Sequence, residues 1–170
     1  VDGLTGVILK EFPEFKANET FFLAENIDAS PQKEFILSRV APQSGPYVPL
    51  TRAYQRVPGG YTPLFSHTDS INSISIIRVR SASQQEFLEI SDHDVRVRDM
   101  AGTVIFRAST AVSPWTGVDP FVFLDDLDGD GVNELGVTQN TGSTNIQTLF
   151  FHYSAGLFNY TWSSTSWFMQ

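Results

Sequence analysis

The chain has 170 residues, 41% of them hydrophobic and 13% aromatic, enough to bury the core of about one domain. Nineteen acidic against eleven basic residues give a net charge of −8, which argues against nucleic acid and anionic membrane surfaces as partners. The absence of cysteine excludes disulfides, thiol catalysis and zinc–thiolate sites, and no apolar run approaches the roughly 18 residues of a membrane span.

Taken from the N-terminus, the sequence opens at Val1 without a Met and without a signal-peptide pattern, so a processed chain or a fragment of a longer one is expected. Asp2 to Gly6 followed by Val7-Ile-Leu9 predicts a turn and the last strand of a unit whose earlier strands are missing; residues 1–18 are read as this leftover strand. A first unit, 19–68, begins with FFLAENIDASPQKEFIL, an alternating strand, a nine-residue loop ending at Glu34, and a short apolar strand from Phe35 to Leu37. Tyr54 to Val57 then turns through Pro58-Gly59-Gly60 into Tyr61 to Phe65, the signature of a hairpin.

The same order recurs twice. Unit two, 69–116, carries SISIIRVRSASQQEFLEIS with its loop ending at Glu86, and a hairpin from Val95–Val97 through Asp99 to Gly102 into Val104–Phe106. Unit three, 117–170, carries FVFLDDLDGDGVNELGV with its loop ending at Glu134, and a hairpin from Phe150–Tyr153 through Ser154-Ala155-Gly156 into Leu157–Trp162. The closing glutamates stand 52 and 48 residues apart, a propeller-blade period rather than a helical-repeat one. No window sustains a helical stripe, so the expected fold is all-β and β-propeller-like: three four-stranded antiparallel blades plus the leftover strand, about 13 strands.

The third loop is the most informative. Asp126, Asp128, Asp130 and Glu134 crowd four carboxylates into nine residues around Gly131, and such repulsion is relieved by protonation or a cation. Alternating acidic ligands on a glycine-containing turn suit calcium, which takes six to eight oxygens in a flexible shell. The expected ligands are the side chains of Asp126, Asp128, Asp130 and Glu134 and the carbonyl of Val132; the alternative is a solvated acidic turn. The EF-hand pattern fails, because a twelve-residue loop from Asp126 would place its closing Glu at Val137.

With its flanking strands, DLDGDGVNEL resembles the calcium loops of FG-GAP and VCBS-type repeats in integrin-like β-propellers, strongly over 126–135 and weakly over the three units. The resemblance implies that the loop joins the first two strands of a blade and holds Ca2+ structurally, with Glu134 where Asp is more usual. The first loop departs from it, with Asn26, Asp28, Ser30 and Glu34 at the ligand positions and Pro31 for the glycine, which should weaken or abolish binding. In the second, Arg78 and Arg80 replace the first two aspartates and Ala82 the third. There a guanidinium is expected to do the ion's work by bridging Glu86 and loop carbonyls, the alternative being two solvated arginines.

Propellers close with four to eight blades, while 170 residues at about 48 per unit supply about 3.5. The chain is therefore expected to be a fragment of a longer one, to associate as a homo-oligomer, or to pack its sheets otherwise. Catalytic motifs are absent. His67, near Asp69, and His93, between Asp92 and Asp94, fall in expected turns; Asp92-His93-Asp94 is a weak second metal candidate. Trp115, Trp162, Trp167, Tyr47 and Tyr61 are candidates for an aromatic platform or for core and cross-strand partners. Asn18-Glu19-Thr20 and Asn159-Tyr160-Thr161 fit the N-glycosylation pattern. The functional expectation is a calcium-stabilised, extracytoplasmic binding or adhesion module, secreted or at a cell surface, recognising a glycan or protein. The alternatives are an accessory or catalytic part of a carbohydrate-active enzyme and a purely structural repeat.

Overall fold

Alternating apolar and polar residues punctuated by Gly and Pro favour strands over helices, and strands are what forms. The computed structural model describes residues 12–13, 15, 20–25, 34–39, 48–69, 71–91, 94–109, 122–140 and 146–166. No helix occurs among them, and so none long and apolar enough to cross a membrane. The expected leftover strand at 1–18 lies outside the described residues apart from isolated positions.

Among the described residues, twelve strands make three four-stranded antiparallel sheets. The first sheet has β1 (Thr20–Glu25), β2 (Glu34–Arg39), β3 (Thr51–Val57) and β4 (Gly60–His67) in sequential order. The second has β5 (Ser73–Ile77), β6 (Glu86–Ile90), β7 (Asp94–Arg98) and β8 (Val104–Ser109). The third has β9 (Val122–Asp125), β10 (Glu134–Asn140), β11 (Ile146–Ser154) and β12 (Leu157–Ser166). Each sheet is a meander whose neighbours in space are neighbours in sequence.

Register carries the repeat further than composition does. Glu34 pairs with Glu25, Glu86 with Ile77 and Glu134 with Asp125, so each glutamate opens the second strand opposite the last residue of the first. In the third and fourth strands the register slips at Ala53/Tyr54, Val97/Arg98 and Phe150/Phe151. Tyr54, Arg98 and Phe151 are the partners of Phe35, Phe87 and Leu135, so the irregularity falls at one equivalent position in all three sheets. Such a slip bends a strand and increases its twist.

The chain divides into two compact units. One spans 1–71 with 100–102 and contains the first sheet; the other spans 72–99 with 103–170 and contains the second and third. In the first, Ile36, Ala53, Tyr54 and Phe65 are buried. Phe12 packs on Tyr54 at 4.6 Å between ring centroids, and Tyr61 on Phe35 at 4.7 Å, so Tyr61 serves as a cross-strand partner. In the second, Ile77, Val79, Leu88, Val95 and Val97 pack with Leu135 and Val137 in one core joining the two sheets. Phe106 of β8 extends it against Phe151 and Phe158, each at 4.8 Å.

The hairpin turns follow their residues. Pro58 fixes φ for the first central position and Gly59 takes the positive φ, 85°, that the second requires in a type II pattern. Ala155 and Gly156 are both left-handed, at 52° and 85°, as a type I′ turn demands.

Candidate metal centre

The loop between β9 and β10 is held by its own carboxylates. Asp126 Oδ1 accepts hydrogen bonds from the backbone N–H groups of Gly129 at 2.7 Å and Asp130 at 3.0 Å, and its Oδ2 accepts from Gly131 at 2.8 Å. Asp128 Oδ1 accepts from the Asp130 N–H at 3.2 Å, and Asp130 Oδ1 from the Val132 N–H at 2.8 Å. Gly129 and Gly131 sit at φ 80° and 85°, which lets the backbone wrap around the Asp126 carboxylate without a Cβ penalty. Asp128 and Asp130 are exposed, Asp126 half-buried, and Glu134 buried.

Glu134 fastens the loop to the sheet. Its Oε2 accepts the Leu127 N–H at 2.7 Å, and its Oε1 lies 2.7 Å from His152 Nδ1. His152 comes from β11: because Leu135 pairs with Phe151, the next residue along β11 falls beside Glu134. The hydrogen bond to Glu134 raises the His152 pKa above the ordinary imidazole value; partial burial opposes this, and the charges of Glu134, Asp128 and Asp130 add to it.

A metal needs ligand atoms that can reach one point. One oxygen each of Asp126, Asp128 and Glu134 lie within 4.8 Å of one another, as do ligand atoms of Asp128, Asp130 and His152. Calcium–oxygen distances of about 2.3–2.6 Å let two ligands of one ion stand up to about 5 Å apart. Carboxylate oxygens that each accept one or two N–H groups keep lone pairs for a cation. Of the side chains expected from the sequence, Asp126, Asp128 and Glu134 come together in one group, while Asp130 groups with Asp128 and His152; an oxygen set of this kind could hold a hard cation. For Val132 the described contact is its N–H on Asp130, and nothing in the described geometry turns its carbonyl into the cluster.

The second sheet repeats the fastening with an arginine in place of the histidine. Glu86, fully buried, accepts the Val79 N–H on Oε2 at 3.1 Å, seven residues back as Leu127 is from Glu134. Its Oε1 meets Arg80 Nε at 2.7 Å. Arg80 occupies the position of Asp128, and the guanidinium reaches the glutamate as expected. The loop carbonyls do not join it: no hydrogen bond from Arg80 to one accompanies the pair among the described residues. Arg78 is exposed. In the first sheet Glu34 is fully buried at the equivalent position, while Asn26, Asp28, Ser30 and Pro31 lie outside the described residues.

Two features escape sequence reasoning. His152 is one; the other is a charged network on β6 to β8. Asp94, 3% exposed, accepts from Ser91 Oγ at 2.8 Å and Arg107 Nε at 2.6 Å, and Arg96 Nη2 lies 2.8 Å from its Oδ1. Arg98 Nε donates to Glu89 Oε2 at 2.8 Å, with both groups buried. Of the expected histidines, His67 is the last residue of β4 rather than part of a turn, stacked on Phe65 at 5.9 Å with its Nδ1 accepting the Asp69 N–H at 3.2 Å. Asp92, His93, Tyr47, Trp115 and Trp167 lie outside the described residues, as does the side chain of Trp162.

Compared with known proteins, the chain matches no family model, no curated protein and no solved structure.

Proposed function

We infer that the chain is a calcium-stabilised binding or adhesion module that works outside the cytoplasm and recognises a glycan or protein, with Ca2+ held structurally in the loop from Asp126 to Glu134. The observation that carries this reading is the convergence of Asp126, Asp128 and Glu134 oxygens within 4.8 Å at the start of β10. Carboxylates so placed repel at neutral pH, and a divalent ion offsets that repulsion while joining the loop to the buried Glu134. The resemblance of DLDGDGVNEL to FG-GAP and VCBS-type loops supports the same assignment, and with it a propeller-like arrangement of the sheets as blades. Calcium loops of modest affinity suit compartments with about 0.1–1 mM calcium, which motivates the extracytoplasmic placement.

Only the third loop is assigned a metal. In the second, Arg78, Arg80 and Ala82 stand where the third has its three aspartates, so a divalent ion there would lack those carboxylates and meet a guanidinium. An ion bound only by the folded state adds about 2.7 kcal/mol when present at a hundredfold excess over its Kd, several degrees of melting temperature for a chain of this size. Melting curves with 2 mM calcium and with chelator test the assignment. A rise of several degrees in the natural chain, absent in Asp128→Ala, supports it; an equal response of both proteins counts against it. Binding on a glycan array, without turnover of the glycan, is the outcome expected for the module.

A further inference from the structure

The fourth-strand edges of the three sheets are not protected alike. β4, β8 and β12 each pair on one side only among the described residues, and an unpaired edge invites pairing with another chain. β4 carries the exposed Pro63, which has no N–H to offer a new strand. β8 carries Arg107, 66% exposed, a charge of the kind that keeps edges apart. β12 is the longest of the described strands, ten residues, LFNYTWSSTS, and holds neither a charged residue nor a proline. It also bears two of the large exposed hydrophobics, Leu157 at 67% and Tyr160 at 56%. Between them stands Asn159, exposed, the first residue of Asn159-Tyr160-Thr161.

We propose that Asn159 is an N-glycan acceptor and that its glycan covers the free edge of β12, the protection that Pro63 and Arg107 give the other two sheets. The inference rests on the extracytoplasmic reading, since the donor sugar is found along the secretory route. Leu157 and Asn159 fall on one face of β12 and both are exposed, so a glycan on Asn159 leaves the strand on that face and lies beside Leu157; Thr161, at the register shift against Phe150 and Phe151, is exposed as well. The side-chain amide suits the bond. Asn159 Nδ2 lies 3.1 Å from Ser154 O, 3.0 Å from Ser154 Oγ and 3.2 Å from Leu157 O, so the one N–H left after substitution still finds a turn acceptor. The transfer joins Nδ2 to C1 of a lipid-pyrophosphate-linked oligosaccharide. The C1–O bond breaks, the lipid pyrophosphate leaves with its electron pair, and Nδ2 gives up one proton.

The test is peptide mapping of the full chain secreted from a eukaryotic cell behind a cleaved leader, beside Asn159→Gln and Thr161→Val. Thr161→Val destroys the acceptor pattern while keeping Asn159 and a β-branched strand residue, so a defect of the Asn159 hydrogen bonds is told apart from loss of the sugar. The expected result is one glycan at Asn159 of the natural chain, none there in either variant, and concentration-dependent association of both variants, and of the natural chain after enzymatic glycan removal, in light scattering. A bare Asn159 on the folded, secreted chain overturns the acceptor assignment and leaves the location reading standing, because the leader supplies the compartment. A glycan whose removal leaves the chain fully monomeric overturns the edge-cover role. A cytoplasmic location of the natural protein overturns the location reading and the inference with it.

Discussion

Replacing Arg80 by alanine removes the cation paired with a carboxylate that is entirely out of water. Glu86 is 0% exposed and Arg80 15%, with 2.7 Å between Oε1 and Nε. Deleting one partner of a buried ion pair costs about 3–5 kcal/mol, because the remaining charge keeps its desolvation penalty without the attraction. Two details lower that figure here: the Val79 N–H stays on Oε2, and the exposed part of Arg80 shows that water reaches the vacated side. The expected loss is about 2–4 kcal/mol, or roughly 5–12 °C for a chain of this length. Denaturant unfolding at neutral pH measures it directly. Glu86→Gln in the Arg80→Ala background should recover a large part of the loss, since a neutral amide costs less to bury, and a double-mutant cycle should return a coupling above about 1 kcal/mol. The loss should be the same with calcium and with chelator. A change within about 0.5 kcal/mol of the natural chain, the range of an ordinary surface substitution, would refute the claim that Arg80 does the work of an ion in the second loop.

Asp94 should make stability depend on acid. Burial works to raise its pKa, but hydrogen bonds from Ser91 and Arg107 and the charges of Arg96 and Arg107 together hold it below the ordinary 3.8. A carboxylate depressed in this way stabilises fully above its unfolded value and loses that contribution as pH falls through the folded one. Asp94→Asn is therefore expected to cost about 2–3 kcal/mol at pH 7 and progressively less below about pH 4, read from chemical denaturation across pH. Two glycines at the same φ separate strain from crowding. At Gly102, φ 85°, a Cβ would meet Phe65 Cβ at 2.8 Å, whereas at Gly156, also at 85°, it would meet nothing within 4 Å. Gly156→Ala should cost about 1 kcal/mol and Gly102→Ala about 1–3 kcal/mol more, measured as the difference in unfolding free energy.

The strand pattern was legible because the sheets are meanders, in which sequence neighbours become spatial neighbours and each hairpin announces itself by Gly or Pro. Aligning Glu34, Glu86 and Glu134 placed all three glutamates at one register position, since the eight residues between the paired strand ends have a constant length. Asp126, Asp128 and Glu134 were legible as a cluster because the loop that gathers them is local. His152 was not, being 18 residues from Glu134 and brought beside it only by the register of β10 on β11. Aligning the third strands of the units would have exposed it. The network around Asp94 was hidden for another reason: Asp94, Val95, Val97 and Arg98 of β7 are all buried, so its charges do not mark a solvated face. Alternation predicts one wet face, and β7 has none.

Direct titration of the decalcified full chain with calcium addresses the central claim most closely. The account predicts one ion per chain, abolished by Asp128→Ala and retained by Arg80→Ala, because the third loop holds the metal and the second carries its own cation. No binding to the folded natural chain, or binding that survives Asp128→Ala unchanged, would contradict it.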